Sequence, residues 1–239
     1  MLNFGSLLFY ADQRSAKNGA PSRRRKLFLA SLATLCAAAW FLHAPQAEAD
    51  PIRIVAFGDS LTAGLGLPAQ DAFPSKLAVA LKAKGYDVAI VNAGVSGDTT
   101  SAALARLDWS VAANTQAVIL EFGANDAFRG VLPAIVNQNL DEIIRRLKAR
   151  NIEVLLAGMY APRNLGEGYF AAFDAIYPAL AKKHGLILEP FFLKGVAGNA
   201  ALNQADGIHP TAAGVDVVVK TILPPTEALI QRVRARKAS

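Results

Sequence analysis

Cysteine is almost absent: the 239 residues hold only Cys36, which sits in the N-terminal segment rather than in the body of the chain. Disulfides and thiolate chemistry are thereby excluded from the main domain. The residues before it, Ala33-Thr34-Leu35, match a lipoprotein lipobox poorly. Histidine is nearly as scarce, with His184 and His209 the only ones after His43. Two histidines and no cysteine leave little to hold zinc, and neither a metal nor an organic cofactor is expected. There is no Walker loop and no Gly-x-Gly-x-x-Gly, since Gly64-Leu65-Gly66 lacks the remainder of that pattern. A Gly-x-Ser-x-Gly nucleophile elbow is missing too, which argues against an α/β-hydrolase. No apolar run reaches the roughly twenty residues that a membrane-spanning helix needs.

The longest apolar run, Leu27 to Leu42, follows the basic cluster Ser22-Arg23-Arg24-Arg25-Lys26 and precedes the small-x-small site Ala47-Glu48-Ala49. That order describes a secretory signal peptide, and cleavage after Ala49 would start the mature chain at Asp50 in the periplasm or outside the cell. An uncleaved anchor is the alternative. Arg24-Arg25-Lys26-Leu27-Phe28 loosely fits a twin-arginine signal, but no cofactor motif follows that would require folding before export. Residues 1–49 carry six of the 25 Lys/Arg and two of the 19 Asp/Glu, so the formal net charge falls from +6 to about +2 without them. The basicity therefore belongs to the export segment, and no electrostatic case for nucleic acid remains.

Residues 50–239 read as one domain, 53% hydrophobic and 18% charged residues over the whole chain being a globular composition. Short apolar runs at Ile52–Phe57, Val88–Asn92, Ala117–Glu121, Ile152–Gly158 and Leu186–Glu189 predict strands, most of them apolar on both faces as buried parallel strands are. Helical periodicity lies between them, over about 74–84, 99–112, 133–150, 168–184 and 211–232, the last expected to break at Pro224-Pro225. Alternation of this kind predicts an α/β fold with a five-stranded, doubly wound parallel sheet, whose ligands bind beyond the carboxyl ends of the strands.

The residues with chemistry fall at those ends. The first strand runs into Gly58-Asp59-Ser60, the second into Asn92-Ala93-Gly94, the third into Gly123-Ala124-Asn125-Asp126. Each alone is an ordinary turn. Together they bring a serine, two backbone N–H groups (Ser60 and Gly94) and the Asn125 amide towards one place, as a tetrahedral oxyanion requires. Asp206-Gly207-Ile208-His209-Pro210 adds a base with a carboxylate three residues before it, able to fix its tautomer locally. His184 lies beside Lys182, Lys183 and Gly185 and reads as a surface residue at a helix end. Asp98 and Asp126 read as loop braces rather than a catalytic carboxylate pair.

These four blocks, in this order, resemble the SGNH or GDSL-type hydrolases, over essentially everything from Ile52 to Ile230. The resemblance implies a three-layer α/β/α sandwich of flavodoxin-like topology, with Ser60 as nucleophile, His209 as general base and acid, and Asp206 as the orienting acid. It also implies an oxyanion hole of Ser60, Gly94 and Asn125. Within the family the chain is similar to the periplasmic acyl thioesterase, lysophospholipase and arylesterase subgroup, on Gly123–Gly130, Ala175–Ala181 and Glu189–Leu193. Ala127-Phe128 departs from the glycine and leucine of that subgroup, beside the expected oxyanion loop.

The substrate implied is a small acyl ester, thioester or lipid, cleaved by a monomer with no stable membrane insertion once the signal is removed. The acyl chain is expected against the loop from Met159 to Tyr169, with Met159, Tyr160, Pro162 and Leu165 as a mobile rim. Two other readings stay open at this point: removal of acetyl groups from envelope polysaccharide, and a non-catalytic lipid- or glycan-binding protein.

Overall fold

The computed structural model describes residues 50–238, so the expected signal sequence and the bond after Ala49 lie outside the described residues. Five strands form one parallel sheet: β1 (Ile52–Gly58), β2 (Val88–Gly94), β3 (Ala117–Glu121), β4 (Glu153–Ala157) and β5 (Ile187–Glu189). Their spatial order is β2-β1-β3-β4-β5. The chain leaves β1 in one direction to make β2 and in the other to make β3, so the switch point lies between the ends of β1 and β3.

The strands form because their side chains have nowhere to go but inward. Ile54, Val55 and Phe57 of β1, Val118, Ile119 and Leu120 of β3, and Leu155 and Leu156 of β4 are all buried. Alternate residues face opposite sides of a sheet, so burial of consecutive residues requires cover on both faces. Helices supply it: α1 (Ser60–Ala63), α2 (Phe73–Ala83), α3 (Thr100–Ser110), α4 (Ala124–Phe128), α5 (Pro133–Ala149), α6 (Glu167–Asp174), α7 (Ile176–His184) and α8 (Ala212–Ala238). Helix α2 packs with α8, and α3 with α5, which gives the two outer layers of an α/β/α sandwich. Right-handed crossovers put α2 on one face and the later crossover helices on the other. The edge strands are less covered: Val91 and Asn92 of β2 are exposed, and Ile187 and Leu188 of β5 are half-buried.

Two helical expectations need correction. The single helix expected over 168–184 is two, α6 and α7, separated at Ala175. Pro178 accounts for the break, having no N–H for the carbonyl of Asp174 and a ring that crowds it. Conversely, α8 runs through Pro224 and Pro225 without interruption. Pro224 is on the exposed side while Ile222, Thr226, Leu229 and Ile230 are buried, so the carbonyls left without donors face water and the apolar stripe holds the helix to the core.

Candidate active site

Ser60 is the first residue of α1, where the chain turns directly out of β1. Its N–H is therefore one of the helix-start donors with no intrahelical acceptor. Asp59 caps that helix, its Oδ1 accepting from Leu61 N at 2.9 Å. Gly58 is a glycine because of what lies against it: a Cβ there would come within 2.1 Å of Thr62 Oγ1 and 2.6 Å of Glu121 Oε2.

His209 arrives from the other end of the domain. Its Nε2 lies 2.9 Å from Ser60 Oγ, and its Nδ1 lies 2.6 Å from Asp206 Oδ2. The Asp206 Oδ1 atom accepts from the backbone N–H groups of Ile208 and His209 at 2.9 and 3.0 Å, so the carboxylate organises the turn that presents the ring. The backbone N–H of His209, then its ring, then Ile208 N–H lower the Asp206 carboxyl to about 2. Asp206 is 44% exposed, yet it stays ionised across any ordinary pH range because of these donors. The loop is fastened by Gln204, whose backbone N–H donates to His209 O at 2.7 Å, and whose Nε2 donates to Leu65 O and Pro210 O at 2.8 and 2.9 Å. The Thr211 hydroxyl accepts from Gly214 N at 3.2 Å, capping α8.

Asn125 lies in the first turn of α4 and, with Ser60 and His209, lines a cleft of about 510 Å³. One of its two amide hydrogens is donated to Asp59 Oδ2 at 3.0 Å, which orients the group and leaves the other hydrogen for a ligand. Gly94 differs from expectation. Its N–H is donated to Asn92 Oδ1 at 2.9 Å, so that hydrogen is already engaged. A glycine is needed there for packing, since a Cβ would fall 2.2 Å from Ala63 N.

Of the expected rim, Met159, Tyr160 and Pro162 line the cleft, whereas Leu165, at the end of the 3₁₀ turn Arg163–Leu165, does not. Met159 is wall rather than rim, at 3% exposure. The loop is anchored: Ala161 N and Arg163 Nη1 both donate to Asp174, at 2.9 and 2.6 Å, and Tyr160 stacks on Phe191 with centroids 4.5 Å apart. Phe128, Phe191, Leu193 and Ile208 complete an apolar lining that the sequence reading missed, although Phe128 stood out there as a departure from related chains.

Three further residues went unread. Arg106 is buried, and its guanidinium donates to Asp98 Oδ2 (2.6 Å), Ala93 O (2.9 Å), Ser110 Oγ (3.0 Å) and Gly58 O (2.9 Å), tying the ends of β1 and β2 to the loop after β2. Its signal was an arginine on the face of α3 that also carries Ala103 and Leu107. Asp59 and Glu121 are fully buried carboxyls, and burial pushes Asp59 up to about 6 and Glu121 well above the usual carboxylate range. The signal for Glu121 was a carboxylate closing an otherwise apolar strand, Ala117-Val118-Ile119-Leu120-Glu121. The two expected braces hold loops: Asp98 pairs with Arg106, and Asp126 accepts from Thr100 N and Oγ1 at 2.8 and 2.6 Å. His184 is more enclosed than expected, 11% exposed, with Nε2 2.6 Å from Asp141 Oδ1, and is remote from the cleft lining.

The model of the GDSL-like lipase/acylhydrolase family matches residues 56–217. The chain belongs to that family. Among relatives of this GDSL-type hydrolase is Esterase TesA of Pseudomonas aeruginosa, 39% identical over 186 residues, covering 77% of this chain and 92% of the relative. The Escherichia coli K12 protein named thioesterase 1/protease 1/lysophospholipase L1 is 41% identical over 165 residues, 69% of this chain and 77% of that one. Among solved structures, TesA superposes with a TM-score of 0.71 at 38% identity, covering 74% of this chain and 99% of that one. AlinE4, an SGNH-hydrolase family esterase, gives 0.64 at 44%, covering 76% and 96%. This GDSL-type chain is thus a hydrolase with the five-stranded fold of its family.

Proposed function

We propose that the protein hydrolyses acyl esters or thioesters of apolar acids through an acyl-enzyme on Ser60. The observation that carries this reading is the Ser60 Oγ–His209 Nε2 contact of 2.9 Å opening on an apolar cleft. His209 Nε2 takes the hydroxyl proton as Oγ attacks the carbonyl carbon, and Asp206 holds the tautomer that makes Nε2 the acceptor. The carbonyl oxygen becomes an oxyanion, held by Ser60 N–H and by the free hydrogen of Asn125 Nδ2. Gly97 N–H takes the place expected of Gly94. The support is the fastening of its loop to the Asn125 helix, through Arg129 Nη2 on Gly97 O (2.8 Å) and Asp126 on Thr100 N. Collapse of the tetrahedral species expels the alcohol or thiol, which takes the proton from His209. Water then repeats the sequence on the acyl-serine and releases the acid.

The lining of Phe128, Met159, Tyr160, Phe191, Leu193 and Ile208 favours an alkyl or aryl acid over a polysaccharide acetyl ester, which would ask for hydrogen-bonding groups around the sugar. The names of the relatives point the same way. The enzyme is proposed to work as a monomer after export and removal of residues 1–49. No helix among the described residues is long and apolar enough to cross a membrane. The test is turnover of p-nitrophenyl esters of increasing chain length by the mature protein, beside Ser60→Ala. Turnover of medium or long chains, lost in Ser60→Ala, is expected. Activity on acetate alone would replace this reading with deacetylation, and none at all with a binding protein.

A further inference from the structure

We propose that Asp59 and Glu121 share a single proton behind the nucleophile, and that Glu121, as a neutral acid acting through Asp59, positions Asn125. The proposal rests on the function proposed above.

Glu121 ends β3 in register with Gly58 of β1, so its side chain projects beneath the turn that carries Ser60. It is fully buried, and one oxygen does all its hydrogen bonding: Oε2 accepts from Thr62 Oγ1 at 2.8 Å and from Asp59 N at 3.3 Å. The other, Oε1, is buried with no partner among the described residues. An ionised carboxylate would leave that oxygen bare in a medium that solvates charge poorly. A proton on the Glu121 carboxyl turns a bare acceptor into a donor, and the neighbouring carboxyl is that of Asp59, whose N–H already meets Glu121 Oε2 at 3.3 Å.

Asp59 is equally buried and has its own donors. Oδ1 accepts from Leu61 N and Oδ2 from Asn125 Nδ2. It is therefore the member that carries charge, with Glu121 as a third donor to it. Two buried carboxyls in contact release protons as a pair, and one proton held between them leaves a single negative charge. Other charged or titratable groups around the pair are His209 across Ser60, Arg106 at Gly58 O, Tyr177 at Phe122 O, and Asp126 in the Asn125 helix. The consequence is directional. With Glu121 neutral, Asp59 holds one amide hydrogen of Asn125 and points the other into the cleft. A second negative charge at Glu121 would stand behind an oxyanion forming at Ser60 and oppose it.

Glutamine is close to an isostere of the protonated acid: its carbonyl can accept from Thr62 and Asp59 N, and its amide can donate to Asp59. Glu121→Ala is expected to lower kcat about 10- to 100-fold, as loss of an outer-shell partner commonly does, with KM unchanged. Glu121→Gln should restore most of that loss. Asp59→Asn should also cost about 10- to 100-fold in kcat, because an amide cannot accept from both Leu61 N and Asn125 Nδ2. In an Asn125→Ala background Asp59→Asn should cost little more, since the group it positions is gone. If Glu121→Ala fails to fold, infrared spectroscopy of folded wild type and Glu121→Gln decides. A protonated-carboxyl stretch should be present at neutral pH in the wild type and missing in the variant. Absence of that band, damage in Glu121→Gln equal to that in Glu121→Ala, or fully multiplicative effects of Asp59→Asn and Asn125→Ala would each overturn the proposal. The infrared band does not depend on turnover, so it separates failure of the shared proton from failure of the esterase reading, which Ser60→Ala tests.

Discussion

Arg106 Nε lies 2.6 Å from Asp98 Oδ2, and the same guanidinium donates to the carbonyls of Gly58 and Ala93. With its carbon 4.5 Å from the centroid of Phe57, the arginine fills the space beneath the ends of two strands as well as pairing with the loop. Removing it leaves Asp98 and two carbonyls without their donor. Arg106→Ala should therefore cost about 3–5 kcal/mol, the usual penalty for breaking a buried ion pair from one side. Urea denaturation of the mature protein measures it, and a loss below about 1 kcal/mol would mean that water replaces the guanidinium.

The oxyanion assignment separates cleanly from substrate binding. Asn125→Ala should lower kcat by roughly 10² to 10³ with KM nearly unchanged, because the charge it meets exists only in the transition state. Gly94 substitutions should act instead through folding, by the clash with Ala63. A raised KM with intact kcat in Asn125→Ala would make Asn125 a ground-state contact.

The two histidines should behave differently. His209→Ala is expected to lose several orders of magnitude in kcat, and Asp206→Ala up to about 10⁴, by leaving the ring without its tautomer-fixing partner. His184→Ala should keep wild-type kcat and lose about 1 kcal/mol or less of stability, the range for a partly exposed polar contact, here with Asp141. Steady-state kinetics beside thermal melts distinguishes the cases, and a kcat defect in His184→Ala would contradict the site.

Stability should fall as the solution is made more alkaline. Burial raises the Asp59 carboxyl from its ordinary 3.8 to about 6, so between those values the folded state holds more protons than the unfolded. The stabilisation linked to this group is complete below about pH 4 and is lost as pH rises through about 6, with Glu121 extending the trend upward. Asp206 has the opposite sign, but its contribution is lost only as pH falls from 3.8 towards about 2. Urea midpoints of wild type and Glu121→Gln across the neutral to alkaline range check this: the wild type should show the steeper decline.

Export gives a test outside the domain. Mature protein recovered from the periplasm or medium should begin at Asp50 by intact mass. Retention of Leu27 to Leu42 would indicate an anchor.

Much of the fold could be read because burial writes itself into composition: five apolar runs gave five strands, and the helix over Pro133–Ala149 follows from Val136, Leu140, Ile143, Ile144 and Leu147. Ser60, Asp206 and His209 were legible because each sits in a short local pattern, and the fold brings them into hydrogen-bond contact. Gly94 was misread because the direction of a strand-end N–H depends on a neighbour, Asn92, that sequence does not orient. Asp59 and Glu121 look unremarkable in a list of residues, and only their depth gives them consequence. Leu165 failed because helical turns, not hydrophobicity, decide which side of a loop faces the cleft.

The serine and the histidine whose atoms meet at 2.9 Å are 149 residues apart along the chain. Closing so long a loop costs chain entropy, which the packing of α8 against the central strands offsets. The chain thus carries Ser60 at the end of its first strand but reaches His209 only just before its last helix. Under the proposed mechanism hydrolysis needs both ends of the domain in place, so activity is a readout of the completed fold.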